Sequence, residues 1–261
     1  VIITTGLEPN ETTMAHAIEL AESFAKQVVP RRDASIQQLR RQHQDDAVLV
    51  VSAKGARLEI PDQPAFFFHP NNSAFRIKRL ERGDTDTMLS VCQIQPGDDV
   101  LDATLGLGAD SIVFAYAIGE NGRVAGIESQ TIIAKLVEDG MKRWRNGSDA
   151  LESAMRRVEV ITGHHLDVMS SMKDKSFDVV YFDPMFETTV DASAGIGGVR
   201  AFANAETLSA EAVQEALRVA RRRVVLKEGS EGKLHERFGF TPYRKRERQA
   251  VYSFREIGGG E

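Results

Sequence analysis

One cysteine, Cys92, in 261 residues leaves no partner for an internal disulfide. That excludes the disulfide-stapled secreted scaffolds and suits a reducing compartment. No apolar run approaches the roughly 20 residues of a membrane helix, so no membrane partner is expected. The opening Val1-Ile2-Ile3-Thr4-Thr5 lacks a basic n-region and reads as a strand rather than a secretion signal, giving a cytoplasmic expectation. Positive charge is not in excess: 33 Lys and Arg against 38 Asp and Glu leave a net charge of −5. Bulk electrostatic capture of nucleic acid is thereby disfavoured. Internal repeats are absent. No residues have metal-ligand spacing, because the adjacent His164 and His165 diverge on an extended chain and His69 reads as a hydrogen-bonded turn residue. What remains is an ordinary globular composition, 42% apolar and 27% charged, long enough for one large domain with a smaller companion.

The chain is organised around Val100-Leu101-Asp102-Ala103-Thr104-Leu105-Gly106-Leu107-Gly108-Ala109-Asp110. An apolar strand enters, two glycines turn it, and an apolar helix leaves; such a turn lets backbone approach a ligand at a helix N-terminus. Ser111 stands where a dinucleotide fingerprint has its third glycine, so the run alone is a weak signal. A second strand, 123–127, is followed by Glu128, an acid suited to accept both hydroxyls of a ribose. A later strand, 178–182, ends in Asp183-Pro184-Met185-Phe186. There a carboxylate and a carbonyl held rigid by proline accept the hydrogens of an exocyclic base amine, and an aromatic ring stacks on the base.

Around these motifs strand and helix alternate: strand 99–104, helix 109–118, strand 123–127, helix 130–144, strands 157–161 and 178–182, helix 207–221 and strand 223–227. The expected fold is α/β, a doubly wound, mostly parallel sheet with a small N-terminal α/β domain. A hairpin of 243–248 with 250–257 closes the chain. Residues 1–75 form the expected small domain and 76–261 the large one. In the small domain strand 1–5 precedes a stripe of Met14, Ala17, Ile18, Ala21, Phe24, Ala25 and Val28, capped by Asn10 and stopped by Pro30. A helix over 34–44 and strands 47–52, 56–60 and 65–69 follow, with Lys54-Gly55 as a hairpin turn and Asn71-Asn72-Ser73 as a second turn. Phe66-Phe67-Phe68 reads as a core strand. A helix over 85–94, capped by Asp84, leads into the large domain. Five cation clusters, at Arg31/Arg32, Arg40/Arg41, Arg76/Lys78/Arg79/Arg82, Arg221/Arg222/Arg223 and Arg244/Lys245/Arg246/Arg248, are solvated faces unless they converge beside the site as a phosphate track.

Together the glycine turn, Glu128 and the Asp-Pro-Met-Phe ending resemble the class I S-adenosylmethionine-dependent methyltransferases with a Rossmann-like sheet. With Val224-Val225-Leu226-Lys227 they resemble, more narrowly, the small-subunit ribosomal RNA guanine-N2 methyltransferases. The resemblance implies S-adenosylmethionine as cofactor, bordered by Asp102, Thr104, Gly106, Gly108, Ala109, Asp110, Glu128, Ser129, His164, His165, Asp167 and Asp183. Asp167 takes the place of an acid that accepts from the adenine amino group. Asp183, Pro184 and Phe186 are the implied catalytic group, and the implied partner is ribosomal RNA or a small-subunit particle, with no metal. Where the family carries a proline and a lysine-rich segment, this chain has Glu187 and a Gly/Ala-rich stretch, 188–204, with Arg200 its only basic residue.

Three functions are therefore open. A methyltransferase acting on a base amino group is favoured by Asp183-Pro184-Met185-Phe186. A methyltransferase for a small molecule or a protein carboxyl group is favoured by the acidic charge and the lysine-poor stretch. An NAD enzyme or a non-catalytic nucleotide binder is opposed by the missing third glycine and the acid-ended strand.

Overall fold

The computed structural model describes residues 1–184, 208–243 and 250–258. The described chain divides into two compact units: Val1–His69 with Lys135–Trp144, and the remainder.

The first unit holds β1 (Ile2–Thr5), α1 (Glu11–Ser23), α2 (Ile36–His43), β2 (Val48–Ser52), β3 (Gly55–Glu59) and β4 (Phe66–Phe67) in one sheet of order β1-β2-β3-β4. β1 and β2 pair in parallel and the other neighbours are antiparallel. Asn10 caps α1, accepting from the Thr13 amide at 2.8 Å, as expected. The helix ends at Ser23 rather than at Pro30. Ala25 takes a left-handed φ of +51°, and the chain beyond it bonds to β1: the Val29 amide donates to Ile3 O at 2.8 Å and the Thr4 hydroxyl to Val29 O at 2.8 Å. The buried face of α1 is accordingly Thr13, His16, Ala17, Leu20 and Ala21, while Ile18 is 45% exposed. Ser35 and Gln38 cap α2 reciprocally. Phe66 and Phe68 are buried and Phe67 is 39% exposed, the alternation of a strand with one face in the core.

The second unit contains α3 (Asn71–Glu81), α4 (Thr87–Cys92), β5 (Asp99–Asp102), α5 (Ala109–Ile118), β6 (Arg123–Glu128), the start of α6 (Thr131–Arg143), α7 (Asp149–Arg156), β7 (Val158–Thr162), α8 (His165–Ser170), β8 (Phe177–Phe182), α9 (Ala210–Val219), β9 (Ala220–Gly229), α10 (Leu234–Arg237), β10 (Thr241–Pro242) and β11 (Ala250–Glu256). Its seven-stranded sheet has the order β10-β11-β9-β8-β5-β6-β7. β7, β6, β5, β8 and β9 run parallel; β11 is antiparallel to β9, and β10 to β11. The chain moves outward from β5 through β6 to β7, then returns to lay β8 on the other flank of β5. That reversal opens a crevice beyond the carboxyl ends of β5 and β8, where open α/β sheets bind ligands.

Several expectations need correction. Asn71-Asn72-Ser73 opens α3 instead of making a turn, and Asp86, not Asp84, caps α4 by accepting from Leu89 N. The closing hairpin pairs β11 with Thr241 and Pro242; residues 244–249, with the Arg244–Arg248 cations, lie outside the described chain. Arg221, Arg222 and Arg223 are no phosphate track. Arg221 pairs with Asp99 and Asp178 at 3.0 and 3.1 Å, Arg222 with Asp98 at 2.6 Å, and Arg223 with Glu256 while donating to Val91 O.

From Lys135 onward α6 belongs with the first unit. Asp139 accepts from His16 Nε2 at 2.8 Å and from Arg143 Nε at 2.9 Å, and Arg143 also pairs with Glu19. Trp144 stands edge-on to Phe68 and His69. The Nδ1 atom of His69 is buried with no hydrogen-bond partner among the described residues, so the expected turn bond is not made there. Gly140 lies against Phe68, where an added Cβ would sit 2.5 Å from Cδ1 and closer still to Cγ and Cβ. The ring cannot simply rotate away, because its own Cβ is among the clashing atoms. Gly140→Ala gains about 1 kcal/mol of helix propensity but overpacks at a cost of about 1–3 kcal/mol. We expect a Tm lower by a few degrees in thermal denaturation; an unchanged or raised Tm would refute this close packing.

Candidate active site

β5 delivers Asp102 to the crevice, 1% exposed. Its Oδ1 accepts from Thr104 N at 3.1 Å and its Oδ2 from the Ser111 hydroxyl at 2.7 Å, so strand, turn and helix α5 close on one carboxyl. Burial pushes this carboxyl up to about 7, against the Ser111 bond and with help from the nearby charge of Asp110. Thr104 Oγ1 accepts from Asp183 N at 2.6 Å and so ties the end of β5 to the end of β8.

The glycine turn follows, with φ of +51° at Gly106 and +72° at Gly108, both in the left-handed region that favours glycine. Gly108 is the N-cap of α5, and the carbonyl of Ala109 accepts from the Ser73 hydroxyl at 3.0 Å. Gly106 N donates to Glu128 Oε2 at 3.1 Å, and Gln130 N donates to Glu128 Oε1 at 2.8 Å. Burial raises the Glu128 pKa although these bonds and those from Ser129 oppose it. Each Glu128 oxygen keeps acceptor capacity.

At the end of β7, His164 caps α8, its Nδ1 accepting from Leu166 N at 3.3 Å. The His164 and His165 rings lie 4.3 Å apart, and His165 stands edge-on to Phe182 at 5.9 Å. Asp167 is exposed in the first turn of α8. The structure thus links Asp102, Thr104 and Asp183, and Gly106 and Glu128, through hydrogen bonds, with Gly108, Ala109, Asp110 and Ser129 adjoining in chain. Pro184 follows Asp183, and Phe186 lies outside the described residues.

A charge cluster that sequence reasoning missed lies behind Asp183. Lys227, on β9, donates to Asp183 Oδ2 at 2.6 Å and to Asp110 Oδ2 at 3.4 Å. Asp110 Oδ2 also accepts from the Tyr181 hydroxyl at 2.8 Å, and Oδ1 pairs with Arg76. Arg76, on α3, grips Asp86 bidentately at 2.8 and 2.9 Å. Burial works against charge on Asp110, yet Lys227, Arg76 and Tyr181 outweigh it and hold the carboxyl below the usual carboxylate range. Burial dominates at Asp183 and raises its pKa although Lys227 opposes it. The Lys227 and Arg76 pKa values rise, because their carboxylates outweigh burial. Tyr181 and Tyr252, the latter opposite Lys227 in the β9–β11 ladder, are both raised, first by burial. Lys227 was visible as the end of Val224-Val225-Leu226-Lys227, but nothing in the sequence revealed its carboxylate partners.

A groove of about 470 Å³, lined by residues including Leu80, Leu89, Gln93 and Arg222, lies near the starts of β5 and β9 and shares Asp86 with the cluster. Among the described residues no group of three or more His, Cys, Asp or Glu is placed to hold a metal, and no helix is long and apolar enough to cross a membrane.

The sequence profile of the SAM-dependent methyltransferases matches residues 33–253. The chain belongs to that family, and its cofactor is S-adenosylmethionine. It is 37% identical over 245 residues to the uncharacterized protein YpiP of Bacillus subtilis, covering 94% of this chain and 95% of that one. It is 34% identical over 190 residues to ribosomal RNA small subunit methyltransferase J of Pseudomonas aeruginosa, covering 70% and 71% of the two chains. The structure of the SAM-dependent methyltransferase NGO1261 from Neisseria gonorrhoeae aligns over 100% of this chain and 98% of its own, with a TM-score of 0.66 at 19% identity, a likeness of fold.

Asp102 makes the pH dependence testable. Its folded pKa lies above the unfolded value, so the folded state holds an extra proton between about pH 4 and pH 7 and loses stability as pH climbs through that window. The slope is at most about 1.4 kcal/mol per pH unit. Asp102→Asn cannot ionise, so its Tm should gain on the parent's by several degrees between pH 5 and pH 8. A Tm difference independent of pH would mean that Asp102 ionises normally.

Proposed function

We propose that this methyltransferase acts on an exocyclic amino group of a nucleic-acid base, with guanine in small-subunit ribosomal RNA as the first candidate. The observation that carries this reading is Asp183: a carboxylate at the end of a buried strand, followed by proline, with one oxygen engaged by Lys227 and no described residue donating to the other. A base amine is a poor nucleophile because its lone pair is delocalised into the ring. Oδ1 of Asp183 and the Pro184 carbonyl accept its hydrogens and favour a nucleophilic nitrogen. Phe186 is assigned to stack on the base.

Bound S-adenosylmethionine supplies a methyl carbon on a sulfonium, already activated for attack, so the protein mainly aligns the partners. The cofactor fits the residues present. The two left-handed glycines place no side chain at positions 106 and 108, and Glu128 offers spare acceptor capacity to two ribose hydroxyls. Asp102 and Thr104 brace the turn; Ala109 and Ser129 line it; His164, His165 and Asp167 are assigned to the adenine side. An RNA acceptor is further supported by the name of the Pseudomonas relative and by α3, which leaves Phe75, 63% exposed, beside the exposed Lys78, Arg79 and Arg82. The net charge of −5 favours the second reading, a small-molecule or carboxyl acceptor.

Two variants test the site, and the first also separates the readings. Asp183→Asn presents amide hydrogens where acceptors are needed and should slow single-turnover transfer by about 10²–10⁴. Glu128→Ala should weaken cofactor binding roughly 10- to 100-fold in calorimetry, the scale of one to two charge-assisted bonds. The acceptor assay is transfer of labelled methyl to RNA from cells lacking the protein, followed by nucleoside analysis. Transfer at the parental rate by Asp183→Asn, or no label in RNA, would favour the small-molecule or carboxyl reading instead.

A further inference from the structure

Five charged side chains alternate in sign through the interior of the large unit: Asp86, Arg76, Asp110, Lys227 and Asp183. Three carboxylates face two cations, so the line carries one excess negative charge. The two carboxylates that share Lys227 are not equivalent. Asp110 is held by three donors, Arg76, Tyr181 and Lys227, and stays ionised. Asp183 has one side-chain donor among the described residues, Lys227, and its side chain is 30% exposed. A proton entering this line therefore settles on Asp183.

We propose that Lys227 is a positioning residue for methyl transfer: by donating to Asp183 Oδ2 it fixes the rotation and charge of that carboxylate, leaving Oδ1 to take the proton of the acceptor amine. The proposal rests on the reading of Asp183 given above. Lys227 can do this because it is itself immobilised. Its side chain is only 25% exposed, it projects from a strand hydrogen-bonded on both sides, and Asp110 anchors it from α5 through Arg76 on α3. In the transfer the amine lone pair forms the new N–C bond as the C–S bond breaks and its electron pair stays on sulfur. The nitrogen's surplus proton passes to Oδ1 of Asp183 and from there to solvent. On this assignment Asp110 braces the lysine rather than touching cofactor.

Among the described residues, the other titratable groups around Asp183 are Tyr181 on β8, Tyr252 on β11, Asp102 on β5 and Cys92 on α4, the last felt through Asp110. None of these is a cation, so among the described residues Lys227 is the main charge that favours ionised Asp183, with Arg76 contributing less. Removing the lysine must raise the pH at which Asp183 ionises.

The test uses the full chain, with binding of S-adenosylhomocysteine as a control for folding. In Lys227→Met, the carboxyl carbon resonance of Asp183 should titrate at least one pH unit higher than in the parent. The acid limb of single-turnover transfer should move the same way, and the rate at pH 7 should fall tenfold or more while cofactor affinity stays within threefold. Lys227→Arg should restore most of the rate. In the Asp183→Asn background, which leaves no unpaired carboxylate at that position, Lys227→Met should add less than a threefold loss, because the lysine acts through Asp183. This comparison stands even if Lys227→Met alone fails to fold. An unmoved Asp183 titration, or a large further loss in the double variant, overturns the proposal. Full activity of Asp183→Asn overturns the underlying amino-group reading instead, which separates the two failures.

Discussion

Asp110 keeps a negative charge in the interior of the large unit, and that one requirement organises the elements around it. An ionised carboxylate deprived of water is tolerated only with close, well-aligned partners. Here they come from three elements: Arg76 from α3, Tyr181 from β8 and Lys227 from β9. Meeting them fixes α3 at the start of α5, and hence the orientation of the glycine turn that precedes α5. The turn is then pinned twice more, by Gly106 to Glu128 and by Thr104 to Asp183. The ends of four strands are held by polar contacts of known length before any ligand arrives.

The two carboxylates sharing Lys227 differ in coordination. The one with three donors is fixed and charged. The other has one donor among the described residues, a raised pKa and partial access to solvent, which are the properties expected of a group that exchanges protons. A glycine turn and an acid such as Glu128 are common to many nucleotide-binding sheets. The end of β8, with the lysine behind it, distinguishes this one.

Local patterns in the sequence conveyed the sheet well. Helix 109–118 coincides with α5, and strands 123–127 and 178–182 each fall within one residue of β6 and β8, because apolar runs bounded by glycine, proline or acids leave little freedom. The parts that escaped are those whose cause is distant. The buried face of α3 is little more than Ser73 and Ile77, hidden in a run of cations. The short helices α7, α8 and α10, of eight, six and four residues, offer little periodicity. Glu128 and Asp183 were legible as acids at strand ends, while Asp102 stood inside the expected strand 99–104 and β5 ends on it. Arg76 and Lys227 were not, since their partner Asp110 lies 34 and 117 residues away, and no spacing rule reaches so far.

The bond between His16 and Asp139 spans 123 residues. On the ribosome, the strands and α1 of the first unit emerge long before the helix that supplies Asp139, Gly140 and Trp144. At about 5–20 residues per second, the delay is on the order of ten seconds. During that interval the face of α1 bearing His16, and the side of Phe68 that receives Gly140, are solvent-facing surfaces on a nascent chain. The N-terminal sheet is first in sequence and late in completion. β5, α5 and β6 are synthesised inside that gap, so one half of the large sheet is made while the first unit still waits for the helix that bears Asp139.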